Sequence, residues 1–150
     1  MEIPPKISIP ICIEQGSIYL YHLNRVNNDG SLYEGDRFFI VLNTNPKTDE
    51  VLILTTITKK AEKQKAFIKR IGEDPDTLVP ITPSDFSALS QNSVVNCNSY
   101  YQISLADLIK KIEDGGKIFT HKLPKNVIDA LISGVLKSNQ VPPDVKERLI

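Results

Sequence analysis

Arg37-Phe38-Phe39-Ile40-Val41-Leu42-Asn43 followed by Val51-Leu52-Ile53-Leu54-Thr55-Thr56-Ile57-Thr58 is the pair of segments that decides the fold. The first is a continuous apolar run opened by a cation, the pattern of a central strand buried on both faces. The second is aliphatic and β-branched and ends in hydroxyls, a composition that suits a pleated sheet. Between them Asn43, Asn45 and Pro46 supply the punctuation that turns the chain back.

Working outward, Ser17-Ile18-Tyr19-Leu20-Tyr21-His22-Leu23 reads as a strand before the pair, rich in β-branched and aromatic residues. Asn24 to Asp36 then reads as a turn region, on the strength of Asn27-Asn28-Asp29-Gly30 and Gly35. After the pair, Thr77 to Ile81 and Ser93 to Cys97 are shorter strand candidates, and Pro80 predicts an edge position for the former. Several short strands joined by turns predict a small barrel or sandwich. The last third changes to a helical period. Ser104 caps a helix with Leu105, Leu108, Ile109 and Ile112 on one face, and Gly115-Gly116 ends it. A second helix runs from about Pro124 with a stripe of Val127, Ile128, Leu131, Ile132, Val135 and Leu136, and a short third follows Pro142-Pro143, capped by Asp144. The expectation is a mainly β chain with C-terminal helices, of α+β class. It forms one domain over 1–150, with a barrel portion at 16–103 and a helical portion at 104–150, and no internal repeat or linker.

Composition bounds the function. The chain has 150 residues, 41% of them hydrophobic, and 18 basic side chains balance 18 acidic ones. That balance excludes a protein that coats polyanions over its whole surface. The charges are nevertheless unevenly placed: residues 1–58 hold 4 basic and 7 acidic side chains, 59–70 hold 6 and 1, and 71–150 hold 8 and 10. Neutrality is thus an average over a basic island, Lys59-Lys60-Ala61-Glu62-Lys63-Gln64-Lys65-Ala66-Phe67-Ile68-Lys69-Arg70. As a plain solvated loop or short helix the island has no function. As a phosphate-attracting arm, Lys59, Lys60, Lys63, Lys65, Lys69 and Arg70 would displace counterions from a polyanion, with Phe67 as a stacking group.

Other classes drop out. The N-terminal prolines and Glu14 break a signal-peptide reading, and no apolar stretch is long enough to span a membrane. Cys12 and Cys97 with His22 and His121 lack metal-ligand spacing, so no metal site is expected, and both cysteines are expected to be buried free thiols. Phosphate-binding glycine loops and the nucleophile elbow are absent, and no cofactor is expected.

Four stretches taken together resemble the MazF/PemK family of toxin endoribonucleases. Gly16 to Leu23 resembles the opening strand of the family, with Ser17 at its usual Asp. Arg37 to Asn43 resembles the Arg-Pro-aliphatic strand, with Phe38 at the usual Pro. Val51 to Thr58 is similar to the strand that closes on a functional Thr, and Ser93 to Leu105 resembles the later segment that leads into a helix. Order and spacing agree over roughly residues 16–112. The resemblance implies an SH3-like barrel with two or three appended helices, usually a homodimer. It also implies a cytoplasmic toxin that cuts single-stranded RNA without a metal and is silenced by a cognate antitoxin. The functional residues of the family carry over onto Arg37 and Thr58, with Thr56 in place of Thr58 if the register is off by two. The later Arg-Thr of the family falls on Tyr101-Gln102, so a basic RNA contact is missing there.

The chemistry fits these residue types. RNA cleavage by the neighbouring 2′-hydroxyl needs alignment, charge relief on a phosphorane-like transition state, and a path for protons. A guanidinium supplies charge relief through a bidentate fork, but it keeps its proton in proteins and is a poor general base. A Thr58 hydroxyl can donate to the same phosphate. His22 is the candidate for proton transfer, provided its side chain shares a face with Arg37. For Arg37 itself the plain alternative is an ion pair with Asp36 or Glu34. Two functions follow: an endoribonuclease toxin, or the same barrel with a degenerate site, binding RNA or a protein partner.

Overall fold

The computed structural model describes residues 3–26 and 30–150. Its elements are α1 (Pro5–Cys12), β1 (Ile18–Val26), β2 (Leu32–Val41), β3 (Leu52–Thr58), α2 (Ala61–Ile71), β4 (Leu78–Ile81), β5 (Ser93–Asn96), β6 (Tyr101–Ile103), α3 (Leu105–Glu113), β7 (Lys117–Phe119), α4 (Lys125–Lys137) and α5 (Pro143–Glu147). A 3₁₀ turn at Pro75–Thr77 precedes β4. The strands form one curled antiparallel sheet, a half-barrel, in the order β4-β5-β3-β2-β1-β7, with β6 paired to the first half of β3. The α+β expectation holds, and β4, which carries Pro80, lies at the edge of the sheet.

The decisive segments pair as expected, Phe39 opposite Thr56 and Val41 opposite Leu54. The hairpin of β1 and β2 is longer than its sequence suggests, in unbroken register from Ile18–Ile40 to Val26–Leu32. Much of the stretch read as turn is therefore strand; of the Asn27-Asn28-Asp29-Gly30 signal, residues 27–29 lie outside the described residues.

Strand alternation sorts the apolar side chains onto two faces. On one face Tyr19, Tyr21, Phe39, Val41, Leu52 and Leu54 pack with Ile9, Ile13, Leu108 and Ile112, which come from α1, the residue after it, and α3. On the other, Ile18, Ile40, Leu42 and Ile53 pack with Val127, Ile128, Leu131 and Val135 of α4. The C-terminal helices thus cover the sheet. Ser104 caps α3 by accepting from the Asp107 N–H at 3.1 Å. The cap residue of α5 is Pro142, so Asp144 sits inside the first turn and not at the cap. Helix α1 was not foreseen: its prolines argue against helix, but Pro5 occupies the first turn, where its missing N–H is no loss. Burial of Ile9 and Ile13 then holds the segment down.

Candidate functional site

Arg37 lies on the same face as Phe39 and Val41, two residues beyond the covered core, opposite Tyr21 of β1. Its floor is aromatic. Tyr21 and Phe39 stack with ring centres 4.0 Å apart and planes within 5°, and Tyr101 meets Phe39 edge-on at 5.6 Å. Burial, and secondarily the neighbouring Tyr101, push the Tyr21 phenol well above its ordinary range, so it stays neutral. At the open side of this floor the Arg37 Nε donates to the Tyr33 hydroxyl at 2.5 Å, and the guanidinium carbon lies 4.5 Å from the Tyr33 ring centre. The expected alternative partners are on the other face: Glu34 and Asp36 alternate with Tyr33, Gly35 and Arg37 along β2. Among the described residues no carboxylate forms an ion pair with Arg37.

Gly35 allows this arrangement. A Cβ at that position would lie 2.8 Å from the Tyr33 hydroxyl, so the ring reaches along the strand towards Arg37 only because residue 35 has no side chain.

Both threonine candidates face the same way as Arg37. Thr56 pairs with Phe39 and is therefore the diagonal neighbour of Arg37. Thr58 follows on the same face, where an unbroken register would bring it opposite Arg37; the ladder between β2 and β3 ends two residues earlier, at Phe39–Thr56. Thr58 is half-buried, and its hydroxyl oxygen accepts from the Lys60 N–H at 3.3 Å.

His22 does not meet the condition set for it. It is paired with Asp36, one position out of phase with the Tyr21–Arg37 pair, and alternation turns it to the opposite face. There its Nδ1 is 3.4 Å from the Asp36 carboxylate and its Nε2 is 3.1 Å from the Asn24 side-chain oxygen. His121 is exposed, in the segment between β7 and α4.

The basic island is helix α2, entered through Lys59 and Lys60 immediately after Thr58 and ended by Gly72 at φ 73°, a left-handed position suited to glycine. Ile68 is buried, and Gln64 accepts from the Asn96 side-chain N–H₂ at 3.0 Å, anchoring the helix to β5. Lys63, Lys65, Lys69 and Arg70 are exposed, whereas Phe67 is half-buried with the Arg70 guanidinium 5.5 Å from its ring centre. Asn96 and Asn98 serve this anchorage: Asn98 donates to Thr77 and Asn96, and Ser138 after α4 donates to Asn98.

Two residues of the site escaped the sequence reading. Tyr33 lay within the supposed turn, although stepping back by twos from Arg37 reaches it through Gly35. Arg25, opposite Tyr33 in β1, lay there too. Its guanidinium carbon is 5.6 Å from the Tyr33 ring centre, and its Nη1 donates to the Tyr101 hydroxyl at 2.7 Å. A guanidinium therefore stands beside Tyr101, delivered by a different strand.

The cysteines differ. Cys97 is buried, and burial pushes its thiol up to about 12. Cys12 is exposed at the end of α1, contrary to the expectation that both are buried: Ile9 and Ile13, four residues apart, form the inward stripe, and Cys12 lies about 100° round the helix from Ile13. Among the described residues no three His, Cys, Asp or Glu side chains gather to hold a metal.

No curated protein matches the chain. The family model of PemK-like, MazF-like toxins of type II toxin–antitoxin systems matches residues 14–136, a span that includes the half-barrel, the face carrying Arg37, the basic helix and most of α4. The chain belongs to the PemK-like, MazF-like toxins of type II toxin–antitoxin systems.

Proposed function

We propose that this toxin is an endoribonuclease that cleaves single-stranded RNA without a metal, acting in the cytoplasm as a homodimer under the control of a cognate antitoxin. The observation that carries the reading is the convergence on one sheet face of Arg37, Thr56 and Thr58, with the basic helix α2 beginning three residues after Thr58. Membership of the family supports the toxin and its antitoxin partner. Among the described residues no helix is long and apolar enough to cross a membrane.

In this mechanism the substrate 2′-hydroxyl attacks the adjacent phosphorus and the bond from phosphorus to the 5′-oxygen breaks. The products are a 2′,3′-cyclic phosphate and a 5′-hydroxyl end. Arg37 offers its terminal N–H groups to the non-bridging oxygens, where charge accumulates, while its Nε is held by Tyr33. The Thr58 oxygen already accepts from Lys60, which leaves its O–H free to donate to the same phosphate. Lys59, Lys60, Lys63, Lys65, Lys69 and Arg70 gather the strand.

One observation favours a second reading, a non-cleaving RNA-binding module: His22, the side chain best suited to move the protons, faces away from Arg37. Incubation of mixed-sequence single-stranded RNA with the protein in EDTA separates the two. Scission leaving 5′-hydroxyl ends, lost in Arg37→Ala, is expected. Retention of intact RNA by the wild type would give the second reading its place.

A further inference from the structure

The far end of the β1–β2 hairpin carries its charges sorted by face. His22, Asn24, Glu34 and Asp36 occupy one side, and Arg25, Tyr33 and Arg37 the other. On the second side two guanidinium groups share one aromatic ring: their carbons lie 5.6 and 4.5 Å from the Tyr33 centre, so no more than the sum of those distances separates them. Two like charges held this close in a fold repel, and among the described residues neither has a carboxylate partner. The acidic side chains of β2, Glu34 and Asp36, are turned by alternation to the opposite face.

What holds Arg25 in place is polar and uncharged. One Nη1 hydrogen goes to the Tyr101 hydroxyl at 2.7 Å, across a sequence separation of 76 residues. A guanidinium has five N–H donors in a planar fork, so this contact orients the group and leaves donors for a bidentate acceptor. Arg25 is exposed, and a ligand reaches it without any rearrangement of the core. Arg37, half-buried and held through Nε by Tyr33, likewise keeps its terminal nitrogens for a ligand. Two pre-oriented forks with no carboxylate partner among the described residues match two anionic groups on one chain.

We propose that Arg25 is a second RNA-binding residue of the site, taking a phosphate adjacent to the one held by Arg37, with Tyr101 fixing its orientation. This rests on the reading of Arg37 as the residue that holds the scissile phosphate. Neutralising two neighbouring phosphates orders the sugar between them, which is the alignment that attack by a 2′-hydroxyl requires.

The test compares Arg25→Ala and Arg25→Lys with the wild type and Arg37→Ala. The assays are binding of a mixed-sequence single-stranded RNA across a salt series and cleavage in EDTA. Arg25→Ala is expected to lower the salt slope of binding by about 0.7, the share of one phosphate contact on a single strand. It is also expected to reduce kcat/KM about tenfold or more. Arg25→Lys should restore the slope but not the rate, because it keeps the charge and loses the fork. Slope and rate both unchanged in Arg25→Ala, with cleavage still lost in Arg37→Ala, would overturn the proposal and leave the nuclease reading standing. If the wild type binds RNA without cutting it, the nuclease reading fails, and the slope of Arg25→Ala still decides the role of Arg25. A wild type that binds no RNA overturns both.

Discussion

At Gly35 a missing side chain governs what Arg37 can hold. The Tyr33 hydroxyl occupies space that a Cβ at residue 35 would enter at 2.8 Å, and that hydroxyl accepts from the Arg37 Nε. In Gly35→Ala the obstruction falls on the end of a flexible side chain, so the fold should survive with a stability change within about 1 kcal/mol. The tyrosine must swing away, however, and the guanidinium loses its tether. RNA cleavage by Gly35→Ala should drop about tenfold with little change in the melting midpoint, and Tyr33→Phe should reproduce the loss, since a hydrogen bond to a charged group contributes about 1.5–3 kcal/mol. Activity retained in both variants would mean that Arg37 is positioned by its strand alone. The sequence showed Arg37 because it opens an apolar run. It hid Tyr33 and Gly35 because glycine between acidic residues resembles a turn until the neighbouring strand fixes the register.

At the scale of elements, legibility followed burial. β3 and α4 bury continuous or helically spaced apolar stripes, and their positions were readable to within a residue or so. Helix α1 was not, because its local signals oppose helix and the deciding term is the distant packing of Ile9 against the sheet and α3. His22 shows a different limit: which face it takes depends on pairing with β2, and a single residue of register reverses it. Helix α2 is the element whose form changes a functional expectation. In the sequence its cations are one block, but on a helix Lys63 and Arg70 fall on one flank and Lys65 and Lys69 on the other, with Glu62 and Ala66 between. Lys65 is also paired with Glu62 at 3.3 Å. A single RNA strand lies along one flank at a time. The double variants Lys63→Ala with Arg70→Ala and Lys65→Ala with Lys69→Ala should therefore differ in RNA-binding salt slope. One should lower it by about 1.4, two single-strand contacts, and the other hardly at all. Equal and negligible changes would show that the helix is only a solvated face.

At the scale of the whole molecule, the helices of the last third are part of what makes the sheet a scaffold. Leu108 and Ile112 of α3 close the face that carries Arg37, and Val127, Ile128, Leu131 and Val135 of α4 close the other. A fragment of residues 1–103 keeps α1 but would expose much of both apolar faces of the curled sheet. Each large side chain left uncovered forfeits about 1.5–3 kcal/mol of burial, and a small domain has only about 5–15 kcal/mol of net stability to lose. Gly134 shows how closely α4 fits: a Cβ there would lie 2.8 Å from the Cys97 sulfur and 3.1 Å from the Asp76 carbonyl oxygen. The polar seam behind α2 also ends on Ser138, so removing the last third takes away one support of that seam while the Gln64–Asn96 bond remains within the fragment. The fragment is accordingly expected to lack a cooperative denaturant transition, to bind a hydrophobic dye, and to cleave no RNA, whereas the full chain unfolds cooperatively. A fragment with a sharp transition of its own would make 1–103 a separable unit and would show that the Arg37 geometry needs none of the later helices. The expectation is against that outcome, because the aromatic floor beneath Arg37 rests on the same cluster that Leu108 and Ile112 of α3 complete.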